Sequence, residues 1–285
     1  MTRAHLYGCP VMSEKFGTWH LESLIAVGGL GEIWRATRGD MVVAMKRLHT
    51  HLVRHDDVRA QFTVEQRLAT QLPHHPGVVR AVEAGTIADR PYLALVLAPG
   101  EDLRRLLGPP ALGAPGGAAL GASPAPATVL LPRARVRAIA IAACDAAAHL
   151  HAHGFVHGDI NPGNLVIAND DHVTLIDLGI ARALGTAGAV RGTHAYMAPE
   201  QVRGEPWSAA TDVFALGVVL WELVAGARLF HRGPPWLSMA AVVEAPAPPL
   251  GDPALDAIAQ AALAKDPARR IASAAELAAR LRAVG

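Results

Sequence analysis

The chain is predicted to be an α+β protein in which a small antiparallel β-sheet with one main helix precedes a mostly α-helical part. Three observations predict it: short β-branched or aliphatic runs alternate with turns over 19–96, apolar positions recur at helical spacing after Gly100, and a low-complexity stretch at 108–132 interrupts the two. In order, the runs HLESLIAV, GEIWRAT, DMVVAMKRL, VVRAVEAGTI and YLALVL read as strands, with a helix over 58–71 between the third and the fourth. Helices follow over 136–153, 208–225, 255–264 and 273–284. The last begins on Ser273 with Glu276 three residues on, the pattern in which two side chains satisfy each other's free helix N–H groups. In the 108–132 stretch, 18 of 25 residues are Gly, Pro or Ala and none is charged. Such a segment buries too little apolar surface to offset the entropy of ordering it, so a flexible insertion is expected.

Composition narrows the function classes. The 26 basic and 25 acidic residues leave a formal charge of +1, without the basic excess expected of a nucleic-acid or membrane-surface binder. The 51% hydrophobic fraction is inflated by 56 alanines, no run approaches 18 uninterrupted apolar residues, and the first residues hold no apolar signal region. A soluble cytoplasmic protein with no nucleic-acid or membrane partner is expected. Cys9 and Cys144 form no C-x-x-C pair, which argues against metal or redox chemistry through sulfur. Only three lysines (Lys15, Lys46, Lys265) and three asparagines (Asn161, Asn164, Asn169) occur, so each place that uses one carries extra weight.

Two groups of residues suggest phosphate chemistry. Val27-Gly28-Gly29-Leu30-Gly31 lies between two expected strands, where Gly28 and Gly31 would let backbone approach phosphate with no Cβ in the way. Lys46 then sits in mid-strand, a costly place unless it is paired or bound to an anion, and Glu65 on the following helix is its expected partner. Further on, Asp159, Asn164 and Asp177 each stand at a loop beside a short apolar strand. Together they offer hard oxygen ligands suited to Mg2+ and one carboxylate free to accept a proton. The histidines at 149, 151, 153 and 157 do not complete a metal site by spacing; His151 is expected to close its helix and His157 to pack against the Asp177-Leu178 turn. Trp207, Trp221 and Trp236 read as core or interface residues.

The set Gly28, Gly31, Val-Ala-Met-Lys46, Glu65, His-Gly-Asp159 with Asn164, Asp177-Leu-Gly179, Ala198-Pro-Glu200, Asp212 and Arg270 resembles the eukaryotic-type protein kinase family, most of all its bacterial Ser/Thr members. The resemblance covers essentially the whole chain. It implies a bilobal protein-kinase-like fold: an N-terminal extension at 1–18, a small lobe at 19–97, and a hinge and helical lobe at 98–285. It implies ATP and Mg2+ as cofactors and a protein Ser/Thr hydroxyl as acceptor. Lys46 would hold the ATP phosphates and pair with Glu65; Val27, Gly28 and Gly31 would form the phosphate loop. Leu95 would be the gatekeeper, the backbone of Val96 and Ala98 would bond adenine, Ile33, Ala44 and Val166 would sandwich it, and Asp102 would reach the ribose. Asp159 would take or orient the hydroxyl proton, with Asn164 and Asp177 on Mg2+. Glu200 would pair with Arg270, and Asp212 would anchor the catalytic loop.

Four positions depart from the family pattern. Ala26 replaces the first glycine of the phosphate loop and Leu178 the phenylalanine before Gly179. Gly158 replaces the arginine that receives an activation-loop phosphate, and Thr186 is the sole hydroxyl residue between Ile180 and Gly192, so activity independent of loop phosphorylation is expected. Asn161 replaces a lysine that contacts the γ-phosphate, and slow transfer is expected from that loss of charge. Two alternatives stay open: a pseudokinase that holds nucleotide without transfer, and a small-molecule phosphotransferase, against which the Gly192 to Glu200 segment speaks. The input is left to a separate regulatory partner, the 108–132 insertion or the first 18 residues; substrate and oligomeric state are not readable.

Overall fold

The computed structural model describes residues 14–107, 131–179, 181–186 and 192–284. Most of the insertion expected at 108–132, and all but the end of the N-terminal extension, lie outside the described residues. The chain divides into two compact units, one running up to His75 and including Val79–Ala98, the other comprising Pro76–Val78 and everything from Pro99 onward.

The first unit is a six-stranded antiparallel sheet with one helix. Its strands are β1 (Glu14–Phe16), β2 (Trp19–Val27), β3 (Gly31–Arg38), β4 (Met41–Leu48), β5 (Ala81–Ile87) and β6 (Arg90–Val96), in the order β1-β2-β3-β4-β6-β5. Successive side chains along a strand alternate between faces. One face therefore gathers Trp34, Ala36, Val43, Met45 and Ala94, which join Phe16, Trp19, Leu21 and Tyr92 in a single buried cluster. The opposite face carries Ile33 and its cross-strand partner Lys46, then Ala44 and its partner Leu95. Strand β1 was not expected from the sequence. It is held by Arg47, whose guanidinium donates to both Glu14 carboxylate oxygens at 2.6 and 2.8 Å and lies 5.2 Å from the Phe16 ring.

Helix α1 (Asp56–Gln71) begins two residues before the expected start, with Asp56 and Asp57 in the first turn opposing the helix dipole. Phe62, Glu65, Leu68 and Ala69 form its buried stripe. Gln66 ties the helix to the sheet by donating to Gly85 O at 2.9 Å and Tyr92 O at 2.7 Å. The expected fourth strand is shorter than its apolar run: β5 starts at Ala81, because Val78 forms a parallel bridge to Leu175 in the second unit instead.

The second unit is mainly helical: α2 (Leu103–Leu106), α3 (Arg133–Ala152), α4 (Pro199–Val202), α5 (Ala209–Ala225), α6 (Pro235–Glu244), α7 (Pro253–Ala262) and α8 (Ala274–Ala283). Short strands β7 (Glu101–Asp102), β9 (Leu165–Ile167) and β10 (Val173–Leu175) form one small sheet, and β8 (Phe155–Val156) with β11 (Arg182–Ala183) another. Every residue of α5 from Ala210 to Leu223 is buried, as expected of a helix that is apolar all round and packed on several sides by α3, α7 and α8. Gly217 admits α7, since a Cβ there would stand 2.9 Å from that of Ala262. The helix ends at Gly226, whose φ of 63° is the left-handed turn that glycine adopts most readily. Ser273 caps α8 as expected, accepting from Glu276 N at 3.2 Å.

Of the three tryptophans expected at the core or an interface, Trp207 and Trp221 are buried and Trp236 is 65% exposed. It lies on α6, a helix not anticipated, whose buried positions are Ser238, Ala241 and Val242; that spacing turns Trp236 and Leu237 outward. Among the described residues no helix is long and apolar enough to cross a membrane.

Candidate active site

In the first unit the expected phosphate loop is the turn between β2 and β3. Val27 pairs with Glu32 and Ala26 with Ile33. Gly28 N donates to Gly31 O at 2.7 Å, closing the turn, and the His49 ring bonds Gly28 O at 2.9 Å. Gly31 is required by space: a Cβ there would fall 2.2 Å from Arg47 O. Lys46 and Glu65 meet as expected, with Nζ to Oε1 at 2.5 Å and side chains 9% and 3% exposed. Strand β4 and helix α1 thus bring together two charges that neither could bury alone. Ile33 and Ala44 are half-buried on the Lys46 face, Leu95 is buried, and Val96 and Ala98 lie at the end of the unit, with Val96 N donating to Arg80 O at 2.9 Å.

In the second unit one loop concentrates the chemistry. It leaves β8 and passes through a 3-10 turn at Pro162–Asn164 into β9. Asp212, fully buried on α5, accepts from His157 N and Gly158 N, each at 2.8 Å, and from His151 Nε2 at 2.9 Å. Burial works to raise its pKa, but the His151 hydrogen bond, the nearby histidines and the Gly158 N–H outweigh it and hold the carboxyl below the ordinary aspartate range. His151 therefore does more than close its helix. His157 is buried; its Nδ1 accepts from Asp159 N at 3.2 Å, so Nε2 carries the proton and donates to Ile176 O at 3.2 Å.

Asp159 stands at the centre of a ring of donors. Its Oδ1 accepts from Thr193 N at 2.9 Å and Asn161 Nδ2 at 3.1 Å, and its Oδ2 from Asn164 Nδ2 at 3.2 Å. Both asparagine amides also donate to Asp159 O, at 3.0 and 2.9 Å. Burial pushes the Asp159 carboxyl up; the Thr193 N–H pulls it down, and the charge of Asp177 adds to the rise. Two carboxylates that repel across a loop, next to an amide oxygen on Asn164, make a hard oxygen donor set suited to a divalent cation. Asp177 takes φ of 66°, a backbone state in which aspartate is several-fold enriched and which is found at functional loops. Leu178 is buried behind it. Val166 is half-buried in β9, and Asp102 caps α2 by accepting from Arg105 N at 3.1 Å. Glu200 and Arg270 form a buried two-pronged pair at 2.7 and 3.0 Å, joined by the Thr211 hydroxyl at 3.0 Å.

Several working residues escaped the sequence reading. Gln201 donates to Gly158 O at 2.9 Å. Trp207 fills the space beside Gly158: a Cβ at 158 would stand 2.3 Å from the indole, and Gly158 has φ of 75°. Arg182 lies 4.2 Å over the same ring. Arg104 donates to Asn161 Oδ1 at 3.1 Å, so position 161 is not remote from positive charge, as its side chain alone implied. Nothing in the local spacing announces these contacts, because each joins segments far apart in sequence.

Two stability outcomes follow from the buried charges. Lys46→Met removes the cation that Glu65 is buried against and is expected to cost about 3–5 kcal/mol, measurable by urea unfolding. Because Asp212 has a depressed folded pKa, its contribution is fully present above the unfolded aspartate value and is lost as pH falls through the folded one. The wild type is expected to lose stability on acidification more steeply than Asp212→Asn, which is weaker already at neutral pH; urea unfolding over a pH series checks this.

Comparison with known proteins agrees with this geometry. Residues 19–279 match the protein kinase domain family. The chain is similar to a probable serine/threonine-protein kinase of Corynebacterium efficiens, with 34% identity over 92% of this chain and 40% of that protein. It is 33% identical to serine/threonine-protein kinase PknB of Mycolicibacterium smegmatis, over 92% of this chain and 42% of that protein. It is likewise 33% identical to serine/threonine-protein kinase PknD of Mycobacterium tuberculosis, over 94% of this chain and 40% of that protein. The chain thus spans about two fifths of the length of these relatives. A match that runs through both units, with the motifs in order along each, means that the chain belongs to the protein kinase family and has its bilobal α+β fold.

Proposed function

We propose that the protein is an ATP-dependent Ser/Thr protein kinase, a reading supported by the names of its relatives and carried by one observation: the Asp159 carboxylate, held by Thr193, Asn161 and Asn164. Its charge is oriented by donors on both oxygens, which suits a group that aligns a hydroxyl and takes its proton. In the step, the acceptor hydroxyl oxygen attacks the γ-phosphorus of ATP, the bond from that phosphorus to the bridging oxygen breaks, ADP leaves, and the hydroxyl proton passes to Asp159. Lys46, fixed by Glu65, holds the ATP phosphates. By the family resemblance the backbone turn at Val27, Gly28 and Gly31 would cover them, Leu95 would be the gatekeeper, Ile33, Ala44 and Val166 would contact the adenine, the backbone of Val96 and Ala98 would bond it, and Asp102 would take the ribose. Asn164 Oδ1 and the Asp177 carboxylate would hold Mg2+, which when bound neutralises phosphate charge. The Glu200–Arg270 brace supports the segment that receives a protein, and so favours a protein over a small-molecule acceptor.

Activity is independent of loop phosphorylation in this reading. The place of a phosphate-binding arginine is taken by Gly158 and the Trp207 ring, and Gly185 and Thr186, just after β11, are tied to Trp207: Gly185 N donates to Trp207 O at 2.8 Å and Trp207 N to Thr186 O at 3.2 Å. Transfer is also slow, because asparagine at 161 brings no charge of its own to the phosphoryl group. The absence of that lysine favours the second reading as well, a pseudokinase that binds nucleotide without transfer.

Incubation with labelled ATP, Mg2+ and a basic protein acceptor is expected to give phosphoserine or phosphothreonine with wild type and none with Asp159→Asn. Equal signal in both, with nucleotide binding retained, would select the pseudokinase. Thr186→Ala is expected to transfer at the wild-type rate; a large loss would show that the loop phosphate matters. Asn161→Lys should raise turnover roughly 10- to 100-fold, within what one charged contact to a transition state supplies, and unchanged or lower turnover would remove position 161 as the cause of slowness.

A further inference from the structure

We propose that Arg104 is a positioning residue for phosphoryl transfer: from α2 it holds the Asn161 amide against Asp159 and supplies to the catalytic loop part of the positive charge that position 161 lacks. The proposal rests on the kinase reading above. The Asn161 amide is oriented at both ends. Its Oδ1 accepts from Gly163 N at 2.9 Å and from Arg104 Nη2 at 3.1 Å, which fixes Nδ2 as the end that donates to Asp159. A cation on the amide oxygen withdraws electron density from the amide and strengthens the opposite N–H as a donor. Arg104 thus acts on Asp159 through one intervening side chain.

Room for the guanidinium is provided by Gly163. A Cβ at 163 would lie 2.7 Å from Arg104 Nη2, 3.1 Å from Cζ and 3.1 Å from Asn161 Oδ1. Its backbone does not take a left-handed φ, so the missing side chain, not backbone freedom, is what the site uses. The arginine is launched from a fixed base: Leu103 is fully buried, and Asp102 caps the short helix. Neighbouring Arg105 faces Glu101 at 3.6 Å, whereas among the described residues no carboxylate pairs with Arg104. Its charge is therefore left for an anion beside Asn161, the position of the transferring phosphoryl group in the proposed reaction. Arg104 is exposed, and water weakens its field, so the effect is smaller than that of a lysine at 161.

Steady-state kinetics on five variants test this. Arg104→Met is expected to lower kcat about 10-fold, less than the 10²- to 10³-fold loss of a directly contacting donor, with unchanged KM for ATP and unchanged thermal midpoint. Gly163→Ala, whose methyl displaces the guanidinium, should give a similar loss, and the double variant no further one. Asn161→Lys should raise kcat by a larger factor in the Arg104→Met background than in wild type. An Arg104→Met enzyme with wild-type kcat, or one altered only in KM for the protein acceptor, overturns the proposal while leaving the kinase reading intact. A wild type without Asp159-dependent transfer overturns the kinase reading, and this proposal with it.

Discussion

A carboxylate enclosed in protein keeps its charge only if donors replace the water it has lost, and Asp212 meets that condition with two backbone N–H groups and one imidazole. Those donors come from the strand-to-loop junction at His157 and Gly158 and from the end of α3. The loop is thereby fastened to α5, the most buried helix of the second unit. Once that junction is fixed, His157 can bond Ile176 O, Asp159 N can bond the His157 ring, and the Asp159 carboxylate is carried to a defined place. The donors that offset the burial of one charge also order the segment that carries Asp159.

The same constraint explains why the loop is rich in amides. Asp159 and Asp177 repel each other. Here Asn161 and Asn164 each turn an N–H toward Asp159 while the cation, Arg104, stands behind Asn161. Gly158 and Gly163 serve sterically. One makes space for the Trp207 indole, at a contact too close for any side chain, and the other for the Arg104 guanidinium, which an added methyl would push aside. Gly158 and Asn161 are therefore parts of local arrangements, each with a large side chain supplied from elsewhere.

In the first unit an analogous pairing fixes Lys46. The period-two alternation of β4 puts Lys46 and Met45 on opposite faces, so the sheet packs its core with one and presents the other to Glu65 on α1. The buried stripe of α1 includes Glu65, and burying that carboxylate is tolerable only with Lys46 beside it.

Much of this was legible in the sequence because it depends on local spacing. Alternation over β2, β3, β4 and β6, the apolar run of α5, the Ser273 cap and the partnership of Lys46 with Glu65 all follow from residue type and period. Helix α6 was not legible, since alanine and proline blur its period and residue type alone leaves Trp236 open to either a core or an interface place. Strand β1 was missed because three residues hold it through Arg47, a contact 33 positions away. The sequence by itself determined the fold class, the two-part organisation and the candidate residues, since each is encoded in patterns a few residues long. Only the tertiary structure decided what surrounds them. That Arg104 reaches Asn161, that Trp207 takes the space beside Gly158 and that His151 serves Asp212 depend on how distant segments pack, and packing contacts leave no periodic trace in the chain.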